Sequence, residues 1–335
     1  MNCVTERLFG VSDKTPAELR VYDKEHCWQY DIRLRNADKD LEMSGFTKEY
    51  VEKLTVEDFV FMPITDTIGR QEATQFIKRH EWLGNLSQYT THWFGAYHEG
   101  VLAGVILMNL PNAFSTLLGE NTRELERLVS RGACISWSPK NLASSFLMWA
   151  IKWTVDNTTY RLFTAYSDPM ARELGTIYQA CNFYYLGQGS GTTERYINPY
   201  SGKVVSDRFF RQRSAYRRYA RELGYEWQVP WTSNTGMLWD NIPEEIATAL
   251  RQKSREVQAS AEKIVVPSKH KYAYVLGRDK RETKYLRRVF EERNKTYEYP
   301  KERVQVFTVT RPVKPVEDVV EAVEDFQERQ LRLFL

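Results

Sequence analysis

Tyr166-Ser167-Asp168-Pro169, followed by Leu174-Gly175-Thr176-Ile177-Tyr178-Gln179-Ala180-Cys181-Asn182-Phe183-Tyr184-Tyr185-Leu186-Gly187, decides how the rest of the chain is read. Leu162, Phe163, Ala165 and Tyr166 make the run from Arg161 to Ser167 apolar and β-prone, and Pro169 stops it directly after Asp168. A short helical stretch then carries Tyr178, and Phe183-Tyr184-Tyr185 opens a further strand. One strand thus ends in a carboxylate, and a phenol follows ten residues later. Taken alone, the plainer account is that Asp168 caps a helix and Tyr178 is a core aromatic. The chemical account is that a phenol with its ordinary pKa near ~10 is a competent proton donor at neutral pH.

Upstream, Phe59 to Ile64 reads as a strand stopped by Pro63, and Gly69 to Leu83 as a helix with Ala73, Phe76, Ile77 and His80 near one face. Trp93 to Tyr97 and Leu102 to Met108 are two strands joined by a turn at His98-Glu99-Gly100. Glu124 to Val129 is another strand. Asn141 can cap a helix running to about Asp156, whose Leu142, Phe146, Trp149, Ala150 and Trp153 form one apolar stripe. Residues 240–262 read as a charged helix and 272–276 as a late strand. The alternation of strands and helices predicts an α/β (α+β) fold, a mixed central sheet flanked by helices. Residues 1–57 are polar with weak periodicity and read as an N-terminal extension of uncertain structure. The catalytic core then spans 58–190, a basic insertion 191–262, the closing part of the core 263–314 and a tail 315–335.

Composition bounds the class. A chain of 335 residues, 42% hydrophobic and 27% charged, has room for about two soluble domains. No apolar run approaches the roughly 18 residues of a membrane span, so no membrane partner is expected. The four cysteines, at 3, 27, 134 and 181, lack metal-knuckle spacing, which suits a reducing cytoplasm.

The wording Ser-Asp … Gly-Thr-Ile-Tyr-Gln-Ala-x-Asn-Phe-x-Tyr-x-Gly resembles the Mom family of phage DNA-modification proteins, within the GNAT-fold acyltransferases. Lys269-His270-Lys271-Tyr272 resembles the closing part of those proteins, so the likeness covers roughly 58–300. The resemblance implies a GNAT-like core and catalytic roles for His80, Asp168 and Tyr178. It also implies an iron site drawn from the same trio. Where the family usually has tyrosine after its histidine this chain has Glu81, a carboxylate that can also bind iron. On the donor side, acetyl-CoA or another acyl donor is implied, with Arg127 matching a family arginine. The usual pyrophosphate-binding spacing is missing from Arg131 to Asn141, where Ser138, Lys140 and Asn141 sit at a helix start that can bind an anion.

Between Gly191 and Glu222 stand eight Arg or Lys and three Asp or Glu. Arg208, Arg211, Arg213, Arg217 and Arg218 interleave with aromatics that include Tyr216, a pattern suited to phosphate contacts and base stacking on double-stranded DNA. A solvated basic helix with an aromatic core stripe explains the same pattern. At the C-terminus, Gln330-Leu331-Arg332-Leu333-Phe334 resembles the peptide by which bacterial proteins dock on the DNA sliding clamp, with Gln330, Leu331, Leu333 and Phe334 as the contacts.

These readings converge on a cytoplasmic, phage-encoded transferase that adds a small acyl-derived, carbamoylmethyl-type group to adenine N6 and protects DNA from restriction. The alternatives are a GNAT N-acetyltransferase acting on a protein or small amine, and a non-catalytic accessory protein that binds DNA and the clamp.

Overall fold

The structure, a computed structural model, describes residues 27–301 apart from 88, 112, 190–191, 203 and 234–235. The peptide at 330–335 therefore lies outside the described residues. Two compact units are present, one built from the chain up to 191 and again from 267, the other from 192–266.

The first unit holds a seven-stranded mixed sheet. Its strands are β1 (Val60–Pro63), β2 (Thr90–His98), β3 (Val101–Asn109), β4 (Glu126–Cys134), β5 (Leu162–Ser167), β6 (Tyr184–Gln188) and β10 (His270–Val275), in the order β1-β2-β3-β4-β5-β10-β6. β4 and β5 are parallel, and the other neighbours run antiparallel. The β2–β3 turn places Glu99 (φ 46°) and Gly100 (φ 81°) in the left-handed region, the geometry that matches the twist of a tight hairpin.

Strand alternation divides the core into two layers. Ala103, Val105 and Leu107 of β3 face a layer with Ala73, Phe76 and Ile77 of helix α3 (Thr67–His80). Ile106 and Met108 face the opposite layer, with Phe146, Leu147, Ala150 and Ile151 of α4 (Leu142–Asn157). Trp149 and Trp153, expected within the α4 stripe, are only partly buried against it. α3 begins at the Asp66 cap, whose carboxylate accepts from Gly69 N at 2.8 Å. It ends at His80 rather than Leu83, because the Glu81 carboxylate takes the N–H groups of Leu83 and Gly84 at 2.9 and 2.7 Å.

Part of the expected extension is an integral helix. α1 (Trp28–Ser44) and α2 (Lys48–Val51) belong to this unit. Apart from Trp28, Ile32 and Leu41, α1 docks through polar side chains at i, i+3 and i+7. Arg33 donates to the Ser136 and Ser138 carbonyls at 2.8 and 2.6 Å, and Asn36 donates to Arg79 O at 3.0 Å. Asp40, almost wholly buried, pairs with Arg79 at 2.6 Å and accepts from Ser136 N at 3.0 Å. Weak apolar periodicity hid this helix because charge and hydrogen bonds, more than a greasy stripe, hold it.

The rest of the first unit is α5 (Thr176–Ala180) and α8 (Lys280–Arg293). The second unit has a small sheet, β8 (Val204–Val205), β7 (Thr192–Ile197) and β9 (Lys263–Pro267) in that order, with α6 (Arg213–Glu222) and α7 (Glu244–Ser260). Its core joins Phe210, Tyr216 and Tyr219 to Leu250 and Val257.

Removing Asp40 leaves Arg79 and the Ser136 N–H without their buried partner, a loss of about 3 kcal/mol. Asp40→Ala is expected to unfold at markedly lower urea than wild type, whereas Asp38→Ala, at an exposed position of the same helix, stays within about 0.5 kcal/mol.

Candidate active site

The site grows from a break in the sheet. β4 and β5 pair only from Glu126–Leu162 to Val129–Ala165. Beyond that, β4 continues to Cys134 against β3, and β5 continues to Ser167 against β10. A bulge at Ser130, between the Met108–Val129 and Leu107–Arg131 pairs, bends β4 there. Ser130 Oγ fastens the bulge by donating to Leu107 O at 3.0 Å and Asn109 Oδ1 at 2.8 Å. A cleft opens between the C-terminal ends of two parallel strands, a location where open sheets receive ligands.

On the β4 side stands Arg131. Its guanidinium donates to Asn85 O and Oδ1, both at 2.9 Å, and its Nε lies 3.9 Å from Glu81 Oε2. On the β5 side, Asp168 Oδ1 accepts from Met170 N at 3.0 Å and its Oδ2 meets Lys269 Nζ at 3.1 Å. Asp168 N donates to Glu173 Oε2 at 3.1 Å. Tyr178, on α5, packs 5.3 Å from the Tyr272 ring and 5.2 Å from Phe183. The turn before it needs glycine: Gly175 has φ 68°, and a Cβ there would sit 2.6 Å from the Tyr272 ring. Tyr272 in turn donates its hydroxyl to Leu174 O.

Electrostatics couple these groups. Burial pushes the Glu173 carboxyl up to about 7, reinforced by Glu81 and Asp168 and opposed by the Asp168 N–H and the Trp82 indole. Burial also raises the Tyr178 phenol; Glu173 and Glu81 add to the shift, while Arg131 works against it. The phenol thus keeps its proton at neutral pH beside a carboxyl balanced between its two forms. That pairing of an acid with a tunable base is what proton-transfer chemistry requires. Sequence reasoning missed Glu173 and Arg131. The available signal was position: Glu173 stands midway between Asp168 and Tyr178, and Arg131 begins the departure from the expected pyrophosphate loop.

Several expected site residues lie elsewhere. His80 is in the core beside α1, with Nε2 3.6 Å from Asp40 Oδ1, Nδ1 3.4 Å from Asn36 Nδ2 and its ring 4.3 Å from Phe76. Burial, with Arg79 adjacent, pushes its pKa down to about 3 and keeps the imidazole neutral. Among the described residues no three His, Cys, Asp or Glu side chains form a metal-binding group. The iron ligand set of His80, Glu81, Asp168 and Tyr178 is therefore not assembled: His80 is taken up by α1, while Glu81 and Tyr178 turn to the cleft. Arg127 lies where β4 and β5 are still paired, its guanidinium 3.5 Å over the Tyr160 ring and donating to the Glu126 carbonyl at 2.6 Å. It is a packing arginine rather than a donor clamp.

The expected donor loop is also rearranged. Arg131 to Cys134 belong to β4, Ser138 is buried, and the carbonyls of Ser136 and Ser138 are held by Arg33. Asn141, in the left-handed region at φ 70°, makes no side-chain cap to α4. Lys140, exposed, stands two residues before α4.

In the second unit Tyr216 is buried at 5% exposure, edge-on to Trp239, so it packs the core and has no face for a base. Arg218 lies 3.8 Å over Tyr200 and Arg213 donates to Ser233 O at 2.7 Å. Arg208, Arg211 and Arg217 are exposed, with Arg211 paired to Asp207.

The Mom protein family matches residues 64–301, which include every element of the cleft. The chain belongs to the Mom family. Its sequence matches none of the curated proteins. Among solved structures it is similar to a probable acetyltransferase from Staphylococcus epidermidis, at 9% identity and TM-score 0.31, over 65% of this chain and 98% of that one. It is also similar to a GNAT family acetyltransferase from Elizabethkingia anophelis with acetyl-CoA bound, at 9% identity and TM-score 0.27, over 65% and 99%. An agmatine N-acetyltransferase gives 10% identity and TM-score 0.31, over 65% and 100%. Membership of the Mom family supports a DNA-modification or acyl-transfer role, and the seven-stranded mixed sheet is the scaffold for it. No helix among the described residues is long and apolar enough to cross a membrane.

Glu173 gives a test of the site's electrostatics. Its folded pKa of about 7 stands above the ordinary 4.5, so its contribution to stability is complete below about 4.5 and is lost as pH rises through about 7. Glu173→Gln, which removes that loss, is expected to gain melting temperature relative to wild type between pH 5 and pH 8. A difference that does not change with pH would return Glu173 to an ordinary surface carboxylate.

Proposed function

We propose that this Mom-family protein is a DNA-modifying transferase that joins a small acyl group to N6 of adenine in phage DNA. The modification would shield that DNA from restriction inside the bacterial cytoplasm. The observation that carries the reading is the parting of β4 and β5, after which the chain carries Glu173 and Tyr178 close enough for the carboxylate to raise the phenol, within a chain of this family.

The step these residues suit is acyl transfer from a thioester, acetyl-CoA or another acyl donor. The adenine amino nitrogen attacks the carbonyl carbon and forms the N–C bond. Ionised Glu173 takes the amine proton, the C–S bond breaks, and Tyr178 protonates the departing thiolate. Arg131, which favours the charged form of Tyr178, steadies the phenolate until it regains a proton. Asp168 positions: its N–H holds Glu173, and its carboxylate ties the turn to Lys269. An adenine in duplex DNA must leave the stack to be reached, and exposed Arg208, Arg211 and Arg217 supply phosphate contacts.

Nucleoside mass spectrometry of DNA from cells expressing the protein tests the reading directly. Wild type is expected to yield a mass-shifted deoxyadenosine, and Tyr178→Phe and Glu173→Gln each to lose at least about 100-fold of it, the usual worth of a positioned acid or base. Unmodified DNA from wild type, with acetylation of a protein or small amine instead, would replace this reading by an ordinary N-acetyltransferase.

The bacterial sliding clamp is the second proposed partner, through Gln330, Leu331, Leu333 and Phe334. Deleting residues 330–335 is expected to abolish clamp binding in calorimetry while leaving modification of free DNA unchanged. An intact protein that fails to bind the clamp at micromolar concentration removes that partner.

A further inference from the structure

Away from the cleft, the N-terminal half of α8 and the end of α4 enclose a groove of about 940 Å³. Arg278, Lys280, Arg281, Lys284 and Arg288 line it, with Tyr285 57% exposed among them. The carboxylates of the wall, and Glu282 beside it, are already engaged. Asp279 caps α8 by accepting from Glu282 N at 2.7 Å, and Glu282 binds Arg161 at 2.8 Å and Arg278 N at 2.6 Å. Asp156 pairs with Lys152 at 2.9 Å, and Glu291 accepts from the Tyr184 hydroxyl. Lys280, Arg281 and Lys284 have no ion pair with any described residue.

Their placement runs against helix physics. Lys280 and Arg281 occupy the first turn of α8, where the helix dipole favours anions and penalises cations. An ordinary solvated face would carry acids there. Lys280, Lys284 and Arg288 also fall at four-residue steps and form one stripe about 12 Å long at the usual helix rise. Of this row only Arg288 meets an acid, Glu292 at 3.9 Å on the solvent side; a concave row of cations held at a cost to the helix fits a polyanion with regularly spaced charges.

We propose that this groove is a docking surface for the phosphate backbone of duplex DNA, distinct from the cleft and from the arginines of the second unit. The inference rests on the reading of DNA as the substrate. The register of β10 sets its distance from the chemistry: His270 lies opposite Ser167 at the cleft end, and Val275 opposite Leu162 at the other. The groove is therefore set back from the cleft by the length of β10, about 17 Å at the usual strand rise. That is about half of the ~34 Å turn of B-DNA. A contact at that remove can hold the duplex while the target base turns out into the cleft, and Tyr285 offers a ring face to the sugar edge.

The test uses the full chain and a fluorescent duplex of about 30 base pairs, with binding followed by anisotropy at several salt concentrations. The variant is Lys280→Gln/Arg281→Gln/Lys284→Gln. It relieves the clash with the helix dipole, so its fold and melting temperature are expected to be preserved. Affinity is expected to fall at least about tenfold, and the slope of log K against log salt to flatten by about 2.7, the release of three fewer counterions. Arg208→Gln/Arg211→Gln/Arg217→Gln in the second unit is the independent comparison. An α8 variant with unchanged affinity and slope overturns the proposal. So does one that keeps DNA affinity while losing adsorption to phosphatidylglycerol vesicles, which would assign the groove to a membrane surface. The two readings fail separately: absence of modified adenine with loss of binding in the α8 variant sinks the proposed chemistry alone. Normal adenine modification with unchanged binding sinks the groove alone.

Discussion

The parallel ladder between β4 and β5 is short, and everything functional follows from its ending at Val129 and Ala165. Past that point each strand keeps its outer neighbour and loses its inner one. Ser130 to Cys134 and Tyr166 to Ser167 therefore turn backbone edges toward a gap, and such groups demand water or a ligand. A gap of this kind closes unless both lips are tied back. On one side Arg33 and Asp40 of α1 grip the segment from Ser136 to Ser138 through its carbonyls and an N–H. On the other side Lys269 and the Glu173–Asp168 contact hold the turn after β5, and the Tyr272 hydroxyl fixes Leu174. The cleft is thus a polar construction mounted on an apolar sheet.

The same enclosure tunes the chemistry. Glu173 and Tyr178 are both shifted upward, and burial is the first cause of each. Their roles diverge because their ordinary pKa values differ. A carboxyl starting at 4.5 reaches the neutral range, where it can give and take a proton. A phenol starting at 10 moves beyond it and stays a donor. Arg131 and the Trp82 indole are the counterweights that keep these shifts from growing further. One environment acting on two different groups is enough to assign an acid and a base.

The apolar parts of the fold were readable because burial leaves a period in the sequence. The β2–β3 hairpin, α3, α4 and β5 all show it, and all form within a few residues of the expected limits. α1 left little such trace, since much of its docking is carried by Arg33, Asn36 and Asp40, which look like surface residues in one dimension. Glu173 was invisible for a related reason: its importance comes from Trp82, Glu81 and Asp168 converging on it from separate segments. His80 is the instructive case. The spacing that put it on one face with Ala73, Phe76 and Ile77 already placed it in the core.

Charge shows the same limit from the other side. A net charge of +3 on 335 residues says nothing about where cations are unopposed. In the second unit, the stretch richest in arginine spends Arg211 on an ion pair, Arg213 on a carbonyl and Arg218 on a tyrosine ring. In α8 the acids are the spent residues: Asp279 on the helix cap and Glu282 on Arg161. What a counterion or phosphate meets is the remainder after internal bonds are satisfied. That remainder is a property of the folded chain. It is larger along the first turns of α8 than the composition of that helix suggests, because the carboxylates there are bound to the helix cap and to Arg161.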